Sequence, residues 1–201
     1  MKTKLIILEG VDGAGKSTLA RMLRDHLQSK NQAVQCFSLP GQDPGTLGEV
    51  VYRLYHAPKS FGITTMTPLS IQVLMTAAHA DTIQTKVLPA LKAGHSVILD
   101  RFWWSTWVYA RQAKVPINSV NHLLELEQDL LARFKPQPLF LIERKSQATQ
   151  SASTAQLSRL YRQLARIEKL HYTICRIQNN ARLEDALRTM IELGKLGEDH
   201  K

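Results

Sequence analysis

The run "GVDGAGKS", Gly10 to Ser17, sets three glycines, a lysine and a hydroxyl at the spacing G-x-x-x-x-G-K-[ST]. Gly10, Gly13 and Gly15 let the backbone turn successive N–H groups, Ala14 among them, into one concavity. A helix beginning near Lys16 adds the partial positive charge of its N-terminus. Such a turn suits a polyphosphate. Lys16 would reach the β- and γ-phosphates of ATP, with Thr18 close behind, and the Ser17 hydroxyl would ligate Mg²⁺.

A second chemical element follows "SVILD", where four apolar-strand residues carry Asp100 to the C-terminal edge of a sheet. Ligands gather at that edge in open α/β folds. A lone aspartate there is often only a turn former or helix cap. With a phosphate turn elsewhere and Arg101 directly after it, Asp100 reads as the other half of a magnesium site.

The elements that must position these groups alternate along the chain. Lys4–Leu8, Ala33–Ser38, Ser96–Leu99, Leu139–Ile142 and Tyr172–Ile177 read as strands. Helical patterns cover Lys16–Lys30, Gly45–His56, Leu69–Ala93, Ser105–Ala113, Ile117–Arg133, Thr154–Lys169 and Leu183–Leu193. This alternation predicts an α/β fold of three layers, a five-stranded parallel sheet with helices on both faces. Pro89 is expected to end or kink the long third helix. Ser146–Thr154, "SQATQSAST", reads as a loop, and Gly194–Lys201 as a frayed tail.

The 201 residues fit one domain, 44% hydrophobic and 21% charged, as in ordinary globular proteins. No apolar run approaches about 18 residues, so no membrane helix is expected, and the N-terminus reads as too short for a signal-peptide core. Cys36 and Cys175 read as reduced thiols of a cytoplasmic protein. The net charge is +9, and Arg133 to Lys169 carries eight basic residues against Glu143 and Glu168 alone. Such a field favours nucleotides or nucleic acid, or it is simply a solvated helix face.

Taken together the motifs resemble the thymidylate kinase family of P-loop kinases over nearly the whole chain. The likeness rests on "LEGVDGAGKSTLA", "LPGQDPGTLGEVVYRL", "VLPALKAGHSVILDRFWWSTWVYA", "KPQPLFLIER" and "LEDAL". It implies a P-loop NTPase fold, ATP and Mg²⁺ as cofactors, and γ-phosphoryl transfer to a pyrimidine deoxynucleotide such as dTMP. By the same resemblance Lys16 would stabilise the migrating phosphoryl group, Ser17 would hold Mg²⁺ and Asp100 would assist the metal through water. Arg101 would grip the acceptor phosphate, Asp12 and Tyr109 would flank its sugar, and Pro40 would lie in the segment covering it. A lid at about 144–156 would close over ATP, with Arg144 the nearest basic residue. The family often forms dimers through helices beside the sheet, so a homodimer is a further expectation.

Departures from the family pattern cluster on the acceptor side. Ser38 and Leu39, not an arginine, precede Pro40. The family's Phe-Ala-Ala-Asp-Arg stretch is closest here to Thr76-Ala77-Ala78-His79-Ala80, and Tyr109 is followed by Ala110 rather than glutamine. Ser146–Gln156 carries no arginine. The aromatic run "FWWSTWVY" offers Phe102, Trp103 and Trp104 either as core or as a surface that stacks on the acceptor base. With the basic second half, it also opens an alternative: a phage-type kinase acting on 5-hydroxymethyl-deoxyuridine within DNA. A third reading is a nucleotide-gated binding module without turnover.

Overall fold

Five short strands form one parallel sheet: β1 (Leu5–Glu9), β2 (Val34–Ser38), β3 (Ser96–Asp100), β4 (Leu139–Glu143) and β5 (Ile174–Gln178). The computed structural model describes residues 3–144 and 151–196. The spatial order is β2-β3-β1-β4-β5, with Leu8 beside Asp100 on one side and Phe140 on the other. The three inner strands are continuous apolar runs, LIILE, SVILD and LFLIE, as strands covered on both faces must be. The edge strands are only half covered.

Eight α-helices surround the sheet among the described residues: α1 (Lys16–Ser29), α2 (Leu47–His56), α3 (Pro68–Thr82), α4 (Leu88–Lys92), α5 (Trp103–Gln112), α6 (Ile117–Leu130), α7 (Ala152–Glu168) and α8 (Leu183–Leu193), with a short 3-10 turn at Pro58–Phe61 after α2. Parallel crossovers are right-handed, so direction of travel across the sheet decides the face each helix covers. The chain leaves β1 toward β2 through α1, and every later crossover runs the opposite way. α1 accordingly packs on α8, whereas α3, α5 and α6 pack together and α7 packs on α5. The reversal falls between β1 and β3, and the crevice beyond their C-terminal ends is where such sheets bind ligands.

Several boundaries differ from the sequence reading. The long third helix does not stop at Pro89. A π turn over Ile83–Val87 separates α3 from α4, and the Leu88 N–H bonds the Ile83 carbonyl. Proline lacks an N–H for the preceding turn, and the wider winding re-satisfies the backbone just before it. β5 begins at Ile174, two residues later than expected. Residues 145–150, most of the expected loop, lie outside the described residues, while Ala152–Thr154 already belong to α7, capped by Ser151. Of the expected frayed tail, Leu196 is buried and its N–H bonds Ile191, and 197–201 lie outside the described residues.

Cys36 and Cys175 are free and sit on the two edge strands, four strand spacings or about 19 Å apart. Among the described residues no helix is long and apolar enough to cross a membrane.

Candidate active site

The turn after β1 is shaped by close contacts that only glycine permits. Gly10 has φ +142°, and a Cβ there would lie 2.3 Å from the Ile142 carbonyl oxygen of β4. Gly15 caps α1 with φ +94°, and its Cβ would meet the Asn179 amide at 2.4 Å. Asn179, after β5, donates to the Ala14 carbonyl at 2.8 Å and fixes the loop from behind. Within the loop Lys16 turns back, its Nζ donating to the Val11 carbonyl at 2.9 Å. Burial, reinforced by the nearby Arg101 charge, brings the Lys16 ammonium down to about 8.

The Ser17 hydroxyl donates to Asp100 Oδ2, joining the start of α1 to the end of β3. Asp100 Oδ1 is buried with no hydrogen-bond partner. An orphaned carboxylate oxygen beside a hydroxyl is a hard-oxygen donor set that fits Mg²⁺. Among the described residues no group of three or more His, Cys, Asp or Glu forms a cage. The ion would therefore take most of its ligands from phosphates and water, as Mg²⁺ does in phosphoryl-transfer sites.

Arg101 follows β3 with φ +78°, a left-handed backbone uncommon for a side-chain-bearing residue and a mark of functional sites. One guanidinium nitrogen donates to the Gly10 carbonyl (3.3 Å), Ser105 Oγ (2.9 Å) and the Tyr161 hydroxyl (3.2 Å). The other donates to Asp12, which also accepts from the Tyr109 hydroxyl at 2.7 Å. Partial burial pulls the Asp12 carboxyl up, but Arg101, Tyr109 and Lys16 together hold it below the ordinary range.

Behind this cluster Glu9, the last residue of β1, is fully buried. It accepts from the Phe102 N–H (2.8 Å), Ser105 N–H (3.3 Å) and Ser105 hydroxyl (2.7 Å). Burial raises its carboxyl to about 7 against those bonds and the charges of Arg101 and Lys16.

Both clusters open into one cavity of about 860 Å³, a volume typical of small-molecule sites. It is lined by Asp12, Gly13, Gly15, Lys16, Ser17 and Thr18 from the phosphate turn and by Asp100, Arg101, Ser105, Thr106 and Tyr109. Pro40 lines it too, after a cis Leu39–Pro40 bond, with Thr82 donating to its carbonyl at 3.0 Å. Gly10 and Ala14 shape the turn from beneath.

Phe102, Trp103 and Trp104 do not reach the cavity. All three are buried in the core, with the Trp103 and Trp104 rings edge-on at 6.2 Å. The phase of α5 explains it: Ser105, Thr106 and Tyr109 share the helix face toward the cavity, beside Arg101, which rotates the tryptophans away. Arg144 is exposed and borders a small recess with Gly10, Tyr161 and Arg162, not the main cavity. Arg162 pairs with Glu143 at 3.6 Å. Arg159, Arg166 and Lys169 are exposed on α7 or just beyond it and line no part of the cavity, so they read as a solvated face.

Sequence reasoning assigned no role to Glu9, His79, Ser105, Glu127, Tyr161 or Asn179. Most of their contacts join residues 48 to 165 positions apart, as in His79–Glu127 and Asn179–Ala14, so no local motif announces them.

Residues 8–192 match the model of the thymidylate kinase family. A thymidylate kinase of Chlamydia caviae is 42% identical over 104 residues, 52% of this chain and 48% of that protein. The chain thus spans about half the length of this and similar relatives. A thymidylate kinase of Gluconobacter oxydans is 31% identical over 159 residues, 75% of this chain and 72% of that protein. The crystal structure of a thymidylate kinase from Ehrlichia chaffeensis superposes with TM-score 0.76 at 20% identity, covering 96% of this chain and 99% of that one. The fold is therefore that of the P-loop NTPases, and the chain belongs to the thymidylate kinase family.

Proposed function

We propose that the chain transfers the γ-phosphoryl group of ATP to the 5′-phosphate of dTMP, giving ADP and dTDP. The observation that carries this reading is that Lys16, Ser17 and Asp100 share one cavity with Asp12, Arg101 and Tyr109. A donor cradle and a cationic acceptor clamp face each other, as in-line transfer between two phosphates requires. The names of the relatives point the same way; nothing in them favours a DNA acceptor or a binding-only role.

In this reading the phosphate-turn N–H groups and Lys16 neutralise charge as it spreads over the migrating group. Arg101, held by four partners, orients the acceptor phosphate, and Asp12 with Tyr109 meets the sugar. An acceptor-phosphate oxygen bonds to Pγ while the bond from Pγ to the bridging oxygen breaks, and ADP leaves with that oxygen. A dianionic phosphate has no proton to surrender, so no general base is needed. Ser17 would hold Mg²⁺ and Asp100 would steady it, and the ion would supply charge neutralisation of the polyphosphate.

A homodimer and a reducing, cytoplasmic setting are proposed with it, the first on the family resemblance and the second on the two free thiols. The test is ADP release with Mg-ATP and, in turn, dTMP, dCMP, DNA containing 5-hydroxymethyl-deoxyuridine, or no acceptor. Release that depends on dTMP supports the proposal. Release with the modified DNA alone, or with no acceptor in excess of any other condition, contradicts it.

A further inference from the structure

The far side of the cavity from the phosphate turn is a stripe of α3, on which Ile71, Gln72, Met75 and His79 line the space. His79 is 4% exposed, and its Nδ1 lies 2.6 Å from Oε1 of Glu127 on α6. Glu127 is 0% exposed and also accepts from the Thr106 hydroxyl of α5 at 2.9 and 3.0 Å. His79 Nε2 and the Gln72 amide make no hydrogen bond among the described residues; both residues are nine-tenths buried, but these atoms stay open to the cavity that the two residues line. Polar atoms of otherwise buried residues that open only onto a cavity are placed to meet whatever ligand fills it.

Burying a carboxylate against a histidine is a poor route to stability, because desolvation offsets much of the attraction. It is an effective way to fix an imidazole. With Nδ1–H committed to Glu127, the ring has one orientation, and Nε2 is left as the only free group. Neutral, Nε2 accepts from a base N–H; protonated, it donates to a base carbonyl. Either partner lies on the N3–O4 edge of a thymine ring.

We propose that His79 is a specificity-determining residue that hydrogen-bonds the acceptor base, with Glu127 and Thr106 as its positioning residues. The proposal rests on the dTMP reading above, since the acceptor phosphate on Arg101 and the sugar at Asp12 and Tyr109 leave the base to the α3 side. Thr106 follows Ser105, which contacts Arg101, so the base-reading and phosphate-gripping clusters are adjacent on α5. The place of Thr76–Ala80, where the family pattern is lost, is thus occupied by a different hydrogen-bonding device.

The test compares dTMP with 2-deoxyribose 5-phosphate, which has the phosphate and sugar but no base, by calorimetry. His79→Gln retains an amide that can donate to Glu127 but removes the second ring nitrogen. It is expected to weaken dTMP binding about tenfold, the equivalent of one neutral hydrogen bond, and to leave deoxyribose 5-phosphate and the KM for ATP unchanged. Glu127→Gln, which keeps His79, is expected to weaken dTMP about threefold with the same selectivity. Equal weakening of both ligands would show a merely structural pair, and no weakening of dTMP would show that His79 does not meet the base; either overturns the proposal. If the wild type binds dTMP with this base dependence yet transfers no phosphate to it, the functional reading fails and this one stands. If it phosphorylates dTMP and His79→Gln binds as the wild type does, this one fails alone.

Discussion

The Arg101 guanidinium donates to the Asp12 carboxylate, tying the end of β3 to the turn after β1. The two side chains are unequally covered: Arg101 is 16% exposed and Asp12 81%. The arginine is therefore fixed by the fold while its carboxylate partner faces the open cavity, where an incoming sugar or phosphate can share it. In the proposed reaction this pair fixes the acceptor clamp against the phosphate turn.

Replacing Arg101 by lysine tests that registration. A single ammonium cannot serve Gly10, Ser105, Tyr161 and Asp12 together, since these bonds use the planar fork of a guanidinium. Arg101→Lys is expected to lower kcat/KM for dTMP about 100-fold while the KM for ATP stays within about twofold. Steady-state kinetics with each substrate varied in turn would expose a mistaken assignment as an equal loss on both.

The pH profile follows from Lys16. In the proposed reaction its ammonium is the form that would meet phosphate, and burial brings its pKa to about 8. Below that pH the charged form dominates; above it, kcat/KM for ATP should fall about tenfold per pH unit. Bound phosphates favour the charged form, so kcat should decline at higher pH than kcat/KM. A profile flat to pH 10 would mean that Lys16 stays charged in the free protein or does not touch the nucleotide.

Glu9 carries a stability prediction. Its folded pKa of about 7 exceeds its ordinary value of 4.5, so between those limits the native protein holds a proton that the unfolded chain has released. Stability from this group is therefore lost as pH rises from about 4.5 to 7, on the order of 3 kcal/mol in all. Glu9→Gln removes that slope and can keep the bonds from Phe102 and Ser105. Urea titrations at pH 5 and pH 7.5 should show the variant gaining roughly 1–3 kcal/mol on the wild type between the two. A difference independent of pH would mean that Glu9 is ionised throughout.

Trp104 separates core from ligand roles. It is 0% exposed, and Trp104→Ala should cost about 3–5 kcal/mol in denaturant unfolding with little change in KM for either substrate at low temperature. Intact stability with a raised KM for dTMP would restore the stacking role.

The phosphate turn and the strand that carries Asp100 were legible in the sequence because their information is local. The phosphate turn needs its glycines, lysine and hydroxyl within eight consecutive residues, and Asp100 and Arg101 follow a strand of unbroken apolar character. The tryptophans were not legible. Around "FWWSTWVY" apolar residues face all sides, and one residue of helical phase turns a side chain by about 100°. Only the start of α5, with Phe102 pinned to Glu9, fixes which residues see the cavity. The acceptor wall was hidden for another reason. His79, Thr106 and Glu127 come from three helices, and each type is unremarkable alone. The π turn before Pro89 was equally invisible, because a proline announces the backbone defect but not how the chain repairs it.

The most direct measurement of the central claim is the fate of labelled phosphorus. With ATP labelled at the γ-position, Mg²⁺ and dTMP, the label should appear in dTDP in step with ADP, and Lys16→Ala should abolish the transfer while unfolding as the wild type does. Label that stays in ATP, or that appears as inorganic phosphate regardless of dTMP, would contradict it.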